Sequence, residues 1–238
     1  FMGIMGLTVT GLSSVLPMMF QTIYGYPVVD TGLMMAPRGI GVMITSLIAG
    51  RLFHYVDFRY LIALGYLTVS GSLWITTGWS LEMDSGPILT AAFVQGLGFG
   101  LIVAPMNQMA FATLAPALRP DGSSLMALFR SLGGSVGISI IVTQLARNQQ
   151  VAHEDLASHV TSGTIPGVDL SAMADRMAGP GSGIMVAIDG EVNRQALMIA
   201  FLDNFYWLAW LVMAFTLMPF LIKRPKSSRP AERPVADE

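Results

Sequence analysis

The sequence contains no cysteine and few charged residues. Among its 238 residues are 13 Lys and Arg, 15 Asp and Glu and only 3 His. The missing thiols exclude a disulfide framework, a thiolate metal site and a cysteine nucleophile. A charged fraction of 12% is about half of that in a typical soluble domain, which is about 25%. Together with 53% hydrophobic residues, this composition predicts an integral membrane protein.

The sequence also lacks the motifs of common catalytic sites. It has no Gly-rich phosphate loop, no spaced cluster of metal ligands and no Ser/His/Asp arrangement. His153 and Glu154 begin an HExxH zinc motif, but Ala157 stands where the second His is required. We therefore expect no enzymatic activity, no cofactor, no metal site and no nucleic-acid partner.

Six hydrophobic stretches are long enough to cross a bilayer, because a spanning helix needs about 20 mostly apolar residues. They cover residues 2–24, 31–53, 60–79, 88–114, 123–146 and 196–222. Five spans therefore fall within residues 1–146, and the polar residues 147–195 are predicted to form a loop outside the membrane. The Pro-rich, charged residues 223–238 favour a disordered tail. Because the chain opens inside a hydrophobic run at Phe1, without a charged leader, we interpret this start as a break within a longer protein.

Basic residues are distributed unevenly among the connecting segments. Arg51, at the end of the second span, and Arg59 belong to the second loop, and Arg119 belongs to the fourth. The tail contains further Lys and Arg residues, whereas the first and third loops contain neither. Cytoplasmic loops are enriched in Lys and Arg. This bias predicts that both ends of the chain are cytoplasmic and that residues 147–195 lie on the outer side.

The fifth predicted span contains one charge, Arg130, shortly before two glycines. Gly133 and Gly137 share a helical face, which allows a neighbouring backbone to approach closely. A charge in hydrocarbon costs about 2.5–3.5 kcal/mol on insertion scales, so such residues usually face protein or a wet cavity. We expect a packing seam at the two glycines. Arg130 either snorkels towards the nearer surface or takes part in transport or gating.

Two further charges, Arg38 and Asp203, lie within predicted spans. Each is about seven residues from the outer end of its span, which at about 1.5 Å per residue places both roughly 10 Å deep. The two charges could pair, or each could find water or a helix-end carbonyl of its own. A lone carboxylate in an apolar cavity suits proton coupling, and a structural hydrogen bond is the other interpretation. Both residues are candidates for coupling or gating.

The fourth predicted span has the mixed surface expected of a binding cavity. Gly96 and Gly100 stand at packing spacing, and the chain as a whole contains 17 Met. Flexible, Met-rich surfaces accommodate varied ligands, although a single Met can also be filler towards lipid or core. The candidate cavity residues, which offer amide, thioether and aromatic groups, are Gln95, Met106, Asn107, Met109 and Phe111.

Several stretches resemble the EmrB/QacA-type drug:proton antiporters, which are fourteen-helix members of the major facilitator superfamily. The main ones read LMALFRSLGGSVGISI and FLDNFYWLAW, and others read LPMMFQTIYGYPVVDTGLMMAPRGIG, GRLFHYVDFRYLIALG and QGLGFGLIVAPMNQMAF. The resemblance implies an all-α membrane protein in which the six spans form the C-terminal bundle of that fold. The superfamily's loop signature is degenerate here, because His54 stands where the signature has its acidic residue.

The resemblance implies proton-driven export of hydrophobic or amphiphilic compounds across the inner (cytoplasmic) membrane by alternating access. The proton gradient replaces a cofactor as the energy source. Implied partners are the N-terminal half of the same transporter, the lipid bilayer and small hydrophobic substrates. The EmrB type adds a periplasmic adaptor and an outer-membrane channel. The alternative is a non-transporting six-helix membrane subunit or scaffold, and an in-frame eight-helix extension upstream of Phe1 distinguishes the two.

Overall fold

A computed structural model describes residues 2–52, 55–81, 83–112, 118–159 and 182–221 of the chain. The helices are α1 Met2–Thr22, α2 Val28–Leu52, α3 Phe58–Thr76, α4 Ser85–Ala112, α5 Arg119–His159 and α6 Ser182–Phe215, followed by a 3₁₀ turn, Met218–Leu221. All 6 helices are long and apolar enough to cross a membrane, and no strand occurs in the described ranges. The predicted all-α membrane fold with six spans is therefore confirmed.

The main packing partners are not neighbours along the chain. α1 packs on α5, α2 packs on α4, α3 packs on both α4 and α6, and α5 also packs on α6. α1 touches α2 and α4 only lightly. The bundle is therefore a continuous series in the order α2, α4, α3, α6, α5, α1, and its two end members, α1 and α2, meet loosely.

α4 owes its central place to glycines on two of its faces. A Cβ atom added to Gly96 would collide with the backbone carbonyl of Arg38 on α2, and one added to Gly100 would collide with a threonine hydroxyl on the same helix. Gly98 faces α3, where an added Cβ would lie 2.9 Å from the carbonyl oxygen of Gly65. Small residues allow membrane helices to pack at close range, so α4 can contact α2 and α3 together.

α1 and α5 meet along what we call the glycine seam, formed by Gly3, Gly6, Gly133 and Gly137. A Cβ atom on Gly133 would collide with the carbonyl of Gly3, and one on Gly6 would collide with the carbonyl of Arg130. On Gly137 it would lie 2.9 Å from a leucine Cα atom of α1. The two predicted packing glycines therefore lie directly against the backbone of α1.

Aromatic side chains close the bundle at its predicted outer end. Phe20 stacks on Trp79 with ring centroids 6.4 Å apart, and Trp79 meets Phe205 edge-on at the same distance. Beside them, the Tyr24 hydroxyl donates to the backbone carbonyl of Ser80 at 2.9 Å. Burial raises the pKa of the Tyr24 phenol. These contacts tie α1, the α3–α4 turn and α6 together.

α5 and α6 are longer than a bilayer requires. They contain 41 and 34 residues, which correspond to about 60 and 50 Å of helix, against about 30 Å for the hydrocarbon core. Both extend beyond the predicted outer end, so the predicted outer loop begins and ends as helix. The sequence explains why α5 continues past its predicted end, because residues 138–162 contain no Gly or Pro and the residue types there favour helix. Residues 160–181, His54 and the predicted tail 223–238 lie outside the described residues.

Candidate functional site

Two of the six spans are far more exposed than the others. Of the residues in the spanning stretches of α2 and α5, 22% and 17% are buried, against 50% in each of the other four. α1 lies between them and exposes Thr10, Ser14 and Gln21. We call this surface the open face. It combines a polar stripe on α1 with broad apolar flanks on α2 and α5.

A cavity of about 80 Å³ lies between α1, α4 and α5 at the predicted cytoplasmic end. Three of the predicted site residues, Asn107, Phe111 and Arg130, line it together. Pockets for drug-sized ligands enclose about 300–1,000 Å³, so this cavity, which we call the α4–α5 cavity, offers only part of such a site. Its remaining lining residues are Met2, Ser123, Met126 and Ala127.

Arg130 contributes to two features of the bundle. Its backbone carbonyl lies against Gly6 in the glycine seam, while its side chain is exposed at the edge of the α4–α5 cavity. Along the helix axis it lies about 16 Å from Arg119. The seam therefore fixes the position of this cation without burying it within the bundle.

The other three cavity candidates on α4 lie away from this cavity. Met106 is buried, and Met109 is partly buried against the core. Gln95 is only 1% exposed, and neither the oxygen nor the nitrogen of its amide has a hydrogen-bond partner within the described part of the chain. A buried amide without a hydrogen-bond partner lowers the stability of the folded protein by about 1–3 kcal/mol. The buried position of Gln95 therefore does not serve stability.

Arg38 points into the bundle and is 8% exposed. Its Nη2 donates a hydrogen bond of 2.6 Å to the hydroxyl of Ser13 on α1. The guanidinium carbon lies 4.5 Å from the ring centroid of Phe99 on α4, at cation–π distance. Ser13 in turn donates to the backbone carbonyl of Val9. Ser13 and Phe99 were not predicted from the sequence, because nothing in it shows which helices surround Arg38.

The structure does not bring Arg38 and Asp203 together, and among the described residues they form no ion pair. Asp203 is exposed on α6, whereas its neighbour Asn204 is buried and donates to the carbonyl of Ile141 on α5 at 3.0 Å. One turn further along α6, Tyr206 meets Trp74 close to the end of α3. Asp203 therefore lies one helical turn from the contact between α6 and the end of α3.

The geometry defines a multi-pass membrane protein with one open face and buried polar groups behind it. Residues 1–138 match the family model of the Major Facilitator Superfamily, and the chain belongs to this family. It is 25% identical over 221 residues to the probable multidrug resistance protein EmrY of Escherichia coli, covering 92% of this chain and 43% of EmrY.

Two other relatives carry related descriptions. The fatty acid resistance protein FarB of Neisseria gonorrhoeae is 25% identical over 89% of this chain and 41% of its own length. The multidrug export protein EmrB of Escherichia coli is 27% identical over 90% of this chain and 42% of its own length. The predicted resemblance to EmrB-type transporters is confirmed. The chain spans about two fifths of the length of these curated relatives.

Proposed function

We propose that this chain forms one half of a proton-coupled multidrug efflux transporter that exports hydrophobic or amphiphilic compounds across the cytoplasmic membrane by alternating access. The open face is the observation that carries the proposal. A second bundle from the same protein covers it, and substrates bind between the two bundles near the middle of the membrane, where transporters of this kind place their sites. The printed descriptions of EmrY and EmrB support this choice.

In this proposal the chain is not an enzyme and needs no cofactor, since the proton gradient supplies the energy. Asn107, Phe111 and Arg130 contribute one wall of the substrate cavity at its cytoplasmic end. Arg38 and Asp203 stay candidates for coupling or gating. The helical extensions of α5 and α6 on the outer side are a suitable contact surface for the periplasmic adaptor that the EmrB type implies, which in turn would meet an outer-membrane channel.

The test is to express the complete reading frame in a bacterial strain without its main efflux pumps and to measure accumulation of a fluorescent amphiphilic dye. We expect less dye in these cells than in cells with an empty vector, and we expect a protonophore to abolish the difference. Residues 1–238 expressed alone should insert but not export, because they form only one wall of the site. Unchanged accumulation despite membrane-inserted protein contradicts export and favours the scaffold alternative.

The orientation of the bundle gives a separate prediction. With both ends cytoplasmic and the ends of α5 and α6 outside, a cysteine in place of Ser158 should react with a membrane-impermeant thiol reagent in intact cells. A cysteine in place of Ser227 should react only after the cells are opened. The chain has no cysteine of its own, so each variant reports one position. Equal labelling of the two positions, or labelling of Ser227→Cys alone, contradicts the orientation.

A further inference from the structure

Arg38 is a buried cation whose neighbours leave most of its hydrogen-bonding capacity unused. A guanidinium has five N–H donors, and within the described residues a single hydrogen bond is formed, to Ser13. Among the described residues Arg38 forms no ion pair with a carboxylate. Asp30, Asp84 and Asp121 lie at helix ends or in turns, Glu154 and Glu191 lie in the outer parts of α5 and α6, and Asp203 lies on another helix. Buried charges are normally paired, so this cation can accept an anion beyond those that the described residues provide.

Gln95 supplies a second, independent observation on the α4 face that contacts this cation. It lies one helical turn from Phe99, whose ring contacts the guanidinium, and directly before Gly96, whose position touches the Arg38 backbone. Both polar atoms of its amide are buried without a partner. A buried amide without partners is uncommon in native proteins. An amide N–H and a guanidinium on facing helices together suit an anion with more than one oxygen atom.

The position of the cluster also fits a substrate site. Arg38 lies about 15 Å along the axis from the first residue of α2, well within this spanning helix. Its partner Ser13 is half-buried, and the next residue, Ser14, belongs to the polar stripe of the open face. A polar head could therefore reach Arg38 from the open face, past Ser13 and Ser14.

We propose that Arg38 and Gln95 bind the anionic head group, a carboxylate or sulfonate, of an amphiphilic substrate. Ser13, whose hydroxyl accepts from Arg38 and donates to the Val9 carbonyl, holds the guanidinium in position. The planar guanidinium can hold two anion oxygens at once, and the Gln95 amide donates a further hydrogen bond. This inference rests on the proposed export function and names one of its substrate classes. The description of FarB as a fatty acid resistance protein agrees with a carboxylate-bearing substrate.

The test compares two amphiphiles of equal chain length, dodecanesulfonate and dodecyltrimethylammonium. Binding is measured on the protein purified from its complete reading frame in lipid nanodiscs. We expect Arg38→Met to weaken dodecanesulfonate binding about tenfold or more, as loss of a charge-assisted contact should, and to leave dodecyltrimethylammonium binding nearly unchanged. Gln95→Leu should weaken only the sulfonate, by a smaller factor. Arg147→Met, which removes an exposed cation from the α5 extension, is the matched control and should change neither.

Thermal unfolding of each variant separates binding from folding. If Arg38→Met does not fold, the anion site is tested in two other ways. One is dodecanesulfonate binding by Gln95→Leu and Ser13→Ala, and the other is the parent's preference for dodecanesulfonate over neutral dodecanol. Equal binding of sulfonate and alcohol by the parent overturns the proposal. If the parent shows no anion preference and Arg38→Met is also strongly destabilised, the proposal is overturned as well, because Arg38 is then paired with a carboxylate from the rest of the protein.

The two proposals fail in different ways. Dye export by a parent that shows no anion preference overturns the anion site alone, whereas absence of any export overturns the proposed function.

Discussion

Replacing Gly133 by leucine should sharply reduce the amount of folded protein recovered in detergent. In the glycine seam, even the Cβ atom of the new side chain would collide with the backbone carbonyl of Gly3. A flexible side chain can move aside, but a helix backbone cannot without moving its whole element. Overpacking usually costs about 1–3 kcal/mol and occasionally more. Because the colliding group here is a backbone carbonyl, we expect the free energy of unfolding to fall by at least about 3 kcal/mol. This is a large part of a typical protein stability of about 5–15 kcal/mol.

Gly71→Leu is the matched control for this change. Gly71 lies on an exposed face of α3, and a Cβ atom added there meets nothing within 4 Å. It is also a helical glycine inside a membrane span, so loss of glycine flexibility is the same in both variants. The measurement is the monodisperse fraction in size-exclusion chromatography after extraction. Parent-like behaviour of Gly133→Leu, or equal losses in both variants, shows that the close contact between α1 and α5 is not required for folding.

In the protein expressed from its complete reading frame, Arg130→Ala and Arg130→Lys should both reach the membrane in near-parent amounts and export poorly, with an efflux rate reduced about tenfold, equivalent to roughly 1.4 kcal/mol. Folding should survive because the side chain is exposed at the edge of the α4–α5 cavity rather than buried in the glycine seam. Export should suffer because a planar, five-donor cation on the open face can hold a carbonyl or carboxylate in only one of two transport states. Lysine keeps the positive charge but lacks the planar arrangement of five N–H donors.

Efflux of a fluorescent amphiphilic dye, divided by the amount of protein in the membrane, measures this effect. The control is Arg147→Ala, which removes an exposed arginine from the same helix beyond the membrane and should export like the parent. Parent-like efflux per molecule from Arg130→Ala supports the simpler interpretation, in which Arg130 snorkels to the surface and takes no part in the transport cycle.

The fold class and the six spans could be predicted from the sequence because the properties that define them are local. A helix crosses a bilayer on the strength of its own length and apolarity, whatever its neighbours are. The glycine spacing in α5 was visible for the same reason, since the period of a helix decides which of its residues share a face. Membership of the transporter family follows from short stretches whose residues are read in order.

Only the tertiary structure decided what those faces meet. Gly96 and Gly98 stand two residues apart on α4, yet one packs on α2 and the other on α3. Arg38 gained Ser13 and Phe99 as neighbours instead of Asp203, because its helix lies beside α4 and close to α1. The exposure of Asp203 depended on the rotation of α6, which turns its neighbour Asn204 towards α5 instead. In each case the deciding contact joins helices that are distant in the chain, and the rotation of one helix is set by all the helices packed around it, which no local pattern records.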